Sequence, residues 1–557
     1  MNIILELLKK FFLEETTTIL LIIAFSFVIN IFQANGVSYI TSRIIINIQK
    51  DNEKVVYEFL KIFMMFSSAF IFLFYTYKYL QNNLLNKLQP WIKKYLINLL
   101  FITNNENLSD INLNTFSSPI NRVTYVCFML FTDFLTHLLP NITFVCVLLS
   151  YLLFINKNLG LSFLLGNICI FAYLYFTWQP MKDANHAYEK DINDNDSYIL
   201  EMLSNIDKII YRGKTQVEMD IYKEKSKAAE ESAKNFFSLT NNNTLVMNIL
   251  LHINLFVCLF FITYLYFDGK LSMTEFITLY TIILLYKDKL MNIIQQIPDL
   301  IEFVGRTESV LNIFKKMDVN SVRDTNFDKL YTTDYKKVRL PFNTIRFENV
   351  TFKFSTTNQE IFKDLNMTIH PTDHKVVGIV GLSGKGKSTL AKLIMKLHRP
   401  TSGNIYIDDA NINDVCADYI RENITYINQN SKLFDRKIIE NILYACNDLD
   451  VCNRHLAEIM KYEKIVELYK NMDIHSKKAG PLGENLSGGQ RQVINVISGL
   501  INPSKILILD EPTNGLDPQL KTELLAIIKD FRKHKQSIII ISHDKECFEL
   551  FDETITI

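Results

Sequence analysis

An excess of charge of either sign is missing: 59 Lys and Arg balance 59 Asp and Glu over 557 residues, and the sequence pI is about 7.1. Without the clustered basic stripes that neutralise a phosphate backbone, no nucleic-acid partner is expected. Paired cysteines are missing too. Cys127, Cys146, Cys169, Cys258, Cys416, Cys446, Cys452 and Cys547 form no CxxC and have no histidines at metal-ligand spacing. They read as isolated apolar residues in a reducing compartment, so neither a disulfide framework nor a zinc site is expected. Glycine is scarce in the first half: six of the 17 lie at or before Gly305, and the other eleven fall between Gly378 and Gly515. Loop chemistry is therefore expected in the second half. A cleavable signal peptide is not expected, because Glu6, Glu14 and Glu15 stand beside Lys9 and Lys10 and the apolar run that follows is too long for an h-region. The same acids speak against a mitochondrial transit peptide.

Long apolar runs, by contrast, are plentiful. Six recur near 17–45, 55–80, 129–155, 159–179, 245–267 and 271–297, with cores such as "ILLIIAFSFVINIF" and "ILLHINLFVCLFFITYLYF". About 20 apolar residues cross a hydrocarbon core, so six spans and an integral, multi-pass membrane protein are expected. With a cytosolic N-terminus, the inner segments hold Lys9, Lys10, Lys78, Lys87, Lys93, Lys94, Arg122 and nine more Lys or Arg from Lys182 to Lys234. The outer loops hold only Lys50, Lys54, Lys157 and Lys270. The positive-inside rule then puts both termini in the cytosol. The outer loops are short ("NKN", "DG"), whereas the inner ones, about 81–128 and 180–244, read as long helical hairpins with tips near 107–118 and 200–214. Polar residues within spans are mostly neutral (Asn30, Gln33, Asn141, Asn167, Asn254) and are expected to hydrogen-bond between helices. Asp133 and His137, four apart, are expected to pair with each other. The domain plan is 1–304 membrane, 305–341 linker and 342–557 nucleotide-binding.

The second half carries the chemistry. Strand-like "KVVGIV" runs into GxxxxGKS (Gly381, Gly386, Lys387, Ser388) and then helix-compatible "TLAKLIMKL". This is the strand, loop and helix setting a phosphate-binding loop requires: glycines let backbone N–H groups wrap phosphates, Lys387 supplies a point charge, and the Ser388 hydroxyl suits Mg2+. In "ILILDEP" a buried strand ends in Asp510, suited to holding Mg2+, and Glu511, suited to polarising a water. In "SIIIISHD" another strand ends in His543. In "NLSGGQRQ", Ser487 and two glycines open a helix, a setting that favours an anion through exposed N–H groups and the helix dipole.

In order, the phosphate loop, "YINQN" with Gln429, "LSGGQ" (486–490), "ILILDEP", "NGLD" (514–517) and His543 resemble the nucleotide-binding domain of ATP-binding cassette proteins. With six spans and long inner hairpins ahead of it, the whole chain is similar to an exporter-type half-transporter of the multidrug and lipid-exporter group. The resemblance implies a multidomain fold: an all-α six-helix transmembrane domain with long cytosolic hairpins, then an α/β P-loop NTPase domain with a helical subdomain. It implies that ATP is bound by Gly381, Leu382, Ser383, Gly384, Lys385, Gly386, Lys387, Ser388 and Thr389, with Phe354 stacking on adenine where tyrosine is usual. It implies Mg2+ at Ser388, Gln429 and Asp510, catalysis by Glu511, His543 and Gln429, and communication between two sites through Asp517. The hairpin tips would be coupling helices. Two cassettes meet head to tail in this family, so Ser487, Gly488, Gly489 and Gln490 would close over ATP held by a second copy, in a homodimer or a heterodimer.

The implied activity is export driven by ATP hydrolysis; the alternative is a membrane ATPase that gates or regulates a partner without moving cargo. The cargo is not identified; scarcity of charge inside the spans points to an amphipathic or lipid-like one, a peptide stays open, and membrane lipid is a further expected partner. Several residues depart from the family pattern. Pro481 replaces a common glutamate, "NGLD" replaces "SALD", and Val493 and Ser498 stand where arginine is frequent, an expected loosening of contacts. After "FDETITI" the family's closing hairpin and helix are not expected.

Overall fold

The computed structural model describes residues 2–104, 117–314, 339–354, 359–382, 384–429 and 432–557. The chain divides into two compact units, Met1–Leu99 with Leu113–Thr325, and Leu100–Asn112 with Asn326–Ile557. Most of the expected linker and the first hairpin tip, near 107–118, lie outside the described residues.

The first unit is helical: α1 (Asn2–Glu14), α2 (Thr16–Ile31), α3 (Ser38–Gln49), α4 (Glu53–Asn104), α5 (Ser117–Asp133), α6 (Leu139–Ile155), α7 (Lys157–Ser204), α8 (Ile206–Tyr211), α9 (Thr215–Phe267) and α10 (Met273–Phe314). Helices satisfy every backbone group internally, which is what a bilayer demands. Among the described residues five helical stretches are long and apolar enough to cross: Thr16–Gln49, Glu53–Ile102, Ile120–Ile155, Lys157–Ser204 and Thr215–Phe267. The sixth expected span differs. Helix α10 covers it, but Glu275, Lys287, Asp288 and Lys289 keep it below the apolarity of the others, although Leu279, Ile282, Ile283 and Leu290 are wholly buried. The turns expected on the outer side are tight. Asn156 caps α7, its side-chain oxygen accepting from the N–H groups of Asn158 (3.0 Å) and Leu159 (3.2 Å). The second hairpin expected on the inner side closes through the short helix α8 and Gly213, at φ +62°.

The neutral polar residues join helices, as expected for three of them. Asn30 donates to the Pro140 carbonyl (2.7 Å) and to Thr143 Oγ1 (2.6 Å). Asn254 donates to the Tyr286 hydroxyl (3.2 Å), which in turn donates to Asn167 Oδ1 (2.9 Å), linking α7, α9 and α10. The Asn254 amide fills the place a Cβ on Gly166 would take, 2.1 Å away, so a larger residue there would displace that amide.

Asp133 and His137 act on one another electrostatically, though without a contact ion pair among the described residues. A π-turn, Phe134–Leu138, follows Asp133 and winds the chain more widely than an α-helix. Pro140 has no N–H, so the Leu135 carbonyl lacks a donor from the next turn. Helix α4 supplies it: Gln81 Nε2 at 2.5 Å and the Tyr77 hydroxyl at 3.3 Å both donate to that oxygen. A second π-turn, Phe32–Val37, interrupts the first span.

The second unit has two sheets. Strands β1 (Ile345–Lys353), β2 (Glu360–Ile369), β4 (Ser402–Ile407) and β5 (Ala410–Asn411) form an antiparallel sheet in the order β2-β1-β4-β5. Strands β3 (Lys375–Val380), β6 (Ile424–Ile427), β7 (Ile506–Asp510), β8 (Ser537–Ile541) and β9 (Glu553–Thr556) form a parallel sheet in the order β6-β7-β8-β3-β9. All five residues of β7 and of β8 are buried, as continuous apolar runs in a parallel sheet should be.

Two expectations fail here. Cys446 and Cys452 are bonded to each other rather than isolated. Asp448 caps the helix Leu449–Ile459, and the turn it makes brings the two cysteines to a Cα separation of 6.4 Å, which spacing alone does not reveal. The other six are free. Val493 and Ser498 loosen nothing: both are buried on the helix Gly488–Ile501, Val493 in the core with Leu507, Ile538 and Ile540. Pro481 opens the single turn Pro481–Gly483.

Candidate nucleotide site

Parallel strands end on the same side, so the C-terminal ends of β6, β7, β8 and β3 form one edge, the usual location of a ligand in such sheets. The loop after β3 passes through Gly384 (φ +81°) and Gly386 (φ +91°) into the helix Lys387–Ile394. Gly386 is bound to be glycine twice over, since a Cβ there would also lie 2.3 Å from Ile361 Cγ2. Lys387 is buried, and its Nζ donates to the carbonyls of Gly381 (2.9 Å) and Leu382 (3.1 Å), which keeps the ammonium over the loop. Ser383 lies outside the described residues, Leu382 and Lys385 are exposed, and Thr389 is buried. Phe354 is half-buried, its ring edge-on to Phe352 and His398.

At the end of β7, Asp510 is buried. Its Oδ2 accepts from the Tyr426 hydroxyl at 3.0 Å, while its Oδ1 is buried without a hydrogen-bond partner. Burial pushes the carboxyl above the usual range, the Ser388 and Tyr426 hydroxyls draw it down, and the neighbouring Glu511 charge pushes it up again. Glu511 takes the left-handed conformation (φ +51°), held by its N–H to the Ile541 carbonyl (2.8 Å) and by Gln492 Nε2 donating to its carbonyl (3.0 Å). Its carboxylate is buried, with Oε1 2.6 Å from His543 Nδ1 and Oε2 accepting from the Ser542 hydroxyl at 3.3 Å. A carboxylate only accepts, so the proton of that bond sits on Nδ1 and Nε2 remains for another partner. Gln429 is exposed just past β6.

Ser487 caps the helix Gly488–Ile501 in a reciprocal pair: its hydroxyl accepts from the Gln490 N–H (3.2 Å) and its own N–H donates to Gln490 Oε1 (2.9 Å). Ser487 and Gly488 are exposed. Among the described residues no hydrogen bond or ion pair joins this turn to the phosphate loop. Asp517 caps the helix Pro518–Phe531 through the N–H groups of Gln519 and Leu520.

A family model described as the ABC transporter transmembrane region matches residues 20–287, and a second, described as ABC transporter, matches residues 362–514. The chain belongs to the ABC transporter family. One membrane region and one nucleotide-binding region in a single chain is the half-transporter arrangement. The fold of this ABC transporter is that of a solved structure, "Structure of a bacterial Atm1-family ABC exporter with ATP bound": TM-score 0.76 at 18% identity, covering 99% of this chain and 93% of that one. Among curated relatives, the mating factor M secretion protein mam1 of Schizosaccharomyces pombe is 27% identical over 64% of this chain and 26% of its own length. The ATP-dependent lipid A-core flippase of Photorhabdus laumondii is 34% identical over 38% of this chain and 36% of its own length. The ABC transporter described here thus spans about a third or less of these relatives' lengths.

Sequence reasoning missed Tyr426, Ser542 and Gln492. Tyr426 and Ser542 stand within the quoted strands, three residues before Gln429 and one before His543, but only the parallel pairing of β6, β7 and β8 brings them to Asp510 and Glu511. Gln492 follows the signature by two residues, and nothing in its position announces a bond to Glu511.

Proposed function

We propose that this ABC transporter hydrolyses ATP to drive export of an amphipathic or lipid-like cargo from the cytosol, as a dimer that alternates between inward-facing and outward-facing states. The observation that carries the reading is the buried Glu511 carboxylate, hydrogen-bonded to His543 on the sheet edge that also bears the phosphate loop. The membrane region, and relatives named for secretion of a mating factor and flipping of a lipid, support transport as the use of that ATP. Both termini lie in the cytosol, in keeping with the lysines and arginines of the inner segments.

The residues divide the work. Backbone N–H groups of 384–388 and the helix N-terminus cradle the phosphates, Lys387 turns from the loop carbonyls to them, and Phe354 offers a ring face to adenine. A divalent cation fits beside them: the buried, unpartnered Asp510 Oδ1 is an anionic oxygen awaiting a cation, and the Ser388 hydroxyl faces the same carboxyl. Ser388, Asp510 and Gln429 would hold Mg2+, which would supply neutralising charge beside the phosphates. Glu511 accepts the proton of the attacking water. His543 holds that carboxylate in place through Nδ1–H and meets the γ-phosphate through Nε2. The exposed Ser487 and Gly488 close on the nucleotide of the second copy, most simply in a homodimer, and Asp517 carries the state of one site to the other. The inner hairpin tips transmit closure to the membrane helices, and the linker 305–341 divides domains 1–304 and 342–557.

Inside-out vesicles containing the protein, given ATP and a panel of fluorescent lipids, amphipathic dyes and peptides, test the reading. ATP-dependent accumulation of at least one class is expected, with no accumulation in Glu511→Gln vesicles. Robust ATPase activity that no cargo changes, with nothing accumulated, would favour a membrane ATPase that regulates a partner.

A further inference from the structure

Asp510 presents its two oxygens unequally. Oδ2 is engaged by the Tyr426 hydroxyl at 3.0 Å, and Oδ1 is buried with no hydrogen-bond partner. The two residues lie 84 apart in sequence, on neighbouring strands whose register is fixed: Tyr426 stands opposite Ile508 and Ile427 opposite Leu509, so Tyr426 reaches up β7 to the carboxylate at its end. Both strands are parallel members of one sheet, and the rest of β7 is buried apolar surface, so the carboxylate pivots only about its own side-chain bonds. The Ser388 hydroxyl also acts on this carboxyl, and the Tyr426 bond to Oδ2 restricts the remaining pivot and aims Oδ1.

We propose that Tyr426 is a positioning residue for the divalent cation: its hydroxyl fixes the Asp510 carboxylate through Oδ2 so that Oδ1 is held ready as the metal-binding oxygen. The inference rests on Asp510 being a metal ligand, as in the function proposed above. Outer partners of this kind orient a ligand before the metal arrives, and their loss costs about 10- to 100-fold in metal affinity. Tyr426 would touch neither nucleotide nor water, so its removal weakens metal binding and leaves the chemistry of the loaded site intact.

The test is Tyr426→Phe, which removes one oxygen and keeps the ring, in the full-length protein in nanodiscs. Three quantities are read: binding of a fluorescent ATP analogue in EDTA, affinity for Mn2+ in the presence of that nucleotide by electron paramagnetic resonance, and the Mg2+ dependence of ATPase activity. Metal-free nucleotide binding is expected to be unchanged, the Mn2+ dissociation constant to rise at least tenfold, and the Mg2+ needed for half-maximal activity to rise with it, while kcat at saturating Mg2+ stays within about threefold. Unchanged Mn2+ affinity overturns the proposal. So does loss of metal-free nucleotide binding, which would make the tyrosine a packing residue. Asp510→Asn separates the two levels of argument. If it abolishes Mn2+ binding while Tyr426→Phe does not alter it, only the positioning role fails; if Asp510→Asn also leaves Mn2+ binding intact, the assignment of Asp510 as ligand fails.

Discussion

Glu511 is asked to be both a strained backbone position and the proton acceptor, and two substitutions separate those duties. At φ +51° a residue with a Cβ is strained by about 1–2 kcal/mol, which Glu511→Gly relieves. Glycine in turn loses about 0.5–1 kcal/mol more conformational entropy on folding, so the backbone terms nearly cancel. What remains is the loss of the bonds to His543 and Ser542. A hydrogen bond to a charged group is worth about 1.5–3 kcal/mol, but the His543 side chain is 73% exposed and water replaces most of its share. Glu511→Gly is therefore expected to cost about 1–2 kcal/mol of stability. Glu511→Gln keeps the φ strain and an acceptor for Nδ1–H, and is expected to cost less. Activity should not follow stability. Neither variant can take a proton from water, and loss of a general base slows turnover by about a hundredfold to ten-thousandfold, roughly 3–5 kcal/mol of barrier. Steady-state ATPase in nanodiscs, nucleotide affinity and thermal unfolding of the same preparations check all three statements. Glu511→Gln turning over at more than a tenth of the wild-type rate would refute the role of the carboxylate. Loss of ATP binding in both variants would show that Glu511 shapes the site rather than serving its chemistry.

Further outcomes concern the loop, the dimer and the core. Gly386→Ala puts a Cβ 2.3 Å from Ile361 Cγ2 at φ +91° and should weaken ATP binding at least tenfold, measured by fluorescent nucleotide titration; near wild-type affinity would contradict the local geometry. A mixed dimer of one Lys387→Ala copy and one Ser487→Arg copy, isolated through two tags, should trap one vanadate-locked nucleotide, because both lesions fall in one composite site; trapping no better than either mutant homodimer would rule out a signature that works across the interface. Lys535 is buried, donating to the Asn502 carbonyl, and desolvation pulls its ammonium down to about 7 from 10.5. The unfolded chain therefore binds more protons between those values, and the cassette should gain stability as pH rises from 7 towards 10, by up to about 1.4 kcal/mol per unit. Thermal unfolding of Lys535→Met should lose that slope; an unchanged slope means another group carries it.

What could be read from the sequence was whatever depends on neighbours along the chain. "KVVGIV" before "GLSGKGKS" and "ILILD" before "EP" are strands because each apolar run is buried on both faces, and the loop glycines follow the first as Asp510 and Glu511 close the second. Long apolar runs likewise became helices. What escaped depends on contacts between distant segments or on single backbone irregularities. Tyr426 meets Asp510 through strand register, Cys446 meets Cys452 through a turn at Asp448, and a π-turn beside Pro140 leaves the Leu135 carbonyl to Gln81 and Tyr77. A charged stretch in α10 also escaped, because an average over the run conceals Lys287, Asp288 and Lys289 at one end of it.

The π-turns change how the membrane helices must be probed. Phe32–Val37 and Phe134–Leu138 each insert extra winding into a span, and the backbone around Gly36 is closed against Phe66, whose ring lies 2.0 Å from the position of a Cβ. Residues before and after such a turn are out of phase, so a span is two half-helices sharing an axis, each with its own lipid-facing stripe. In the first span Ile19, Ile22, Ser26 and Ile29 are buried at helical spacing before the turn, and Ser38, Ile40 and Ser42 are buried after it. A scan with cysteine labels or spin probes placed at every helical repeat would therefore report accessibility whose phase shifts midway along the helix by about one residue, roughly 100°, and fitting it with one continuous period would misplace the buried face of one half.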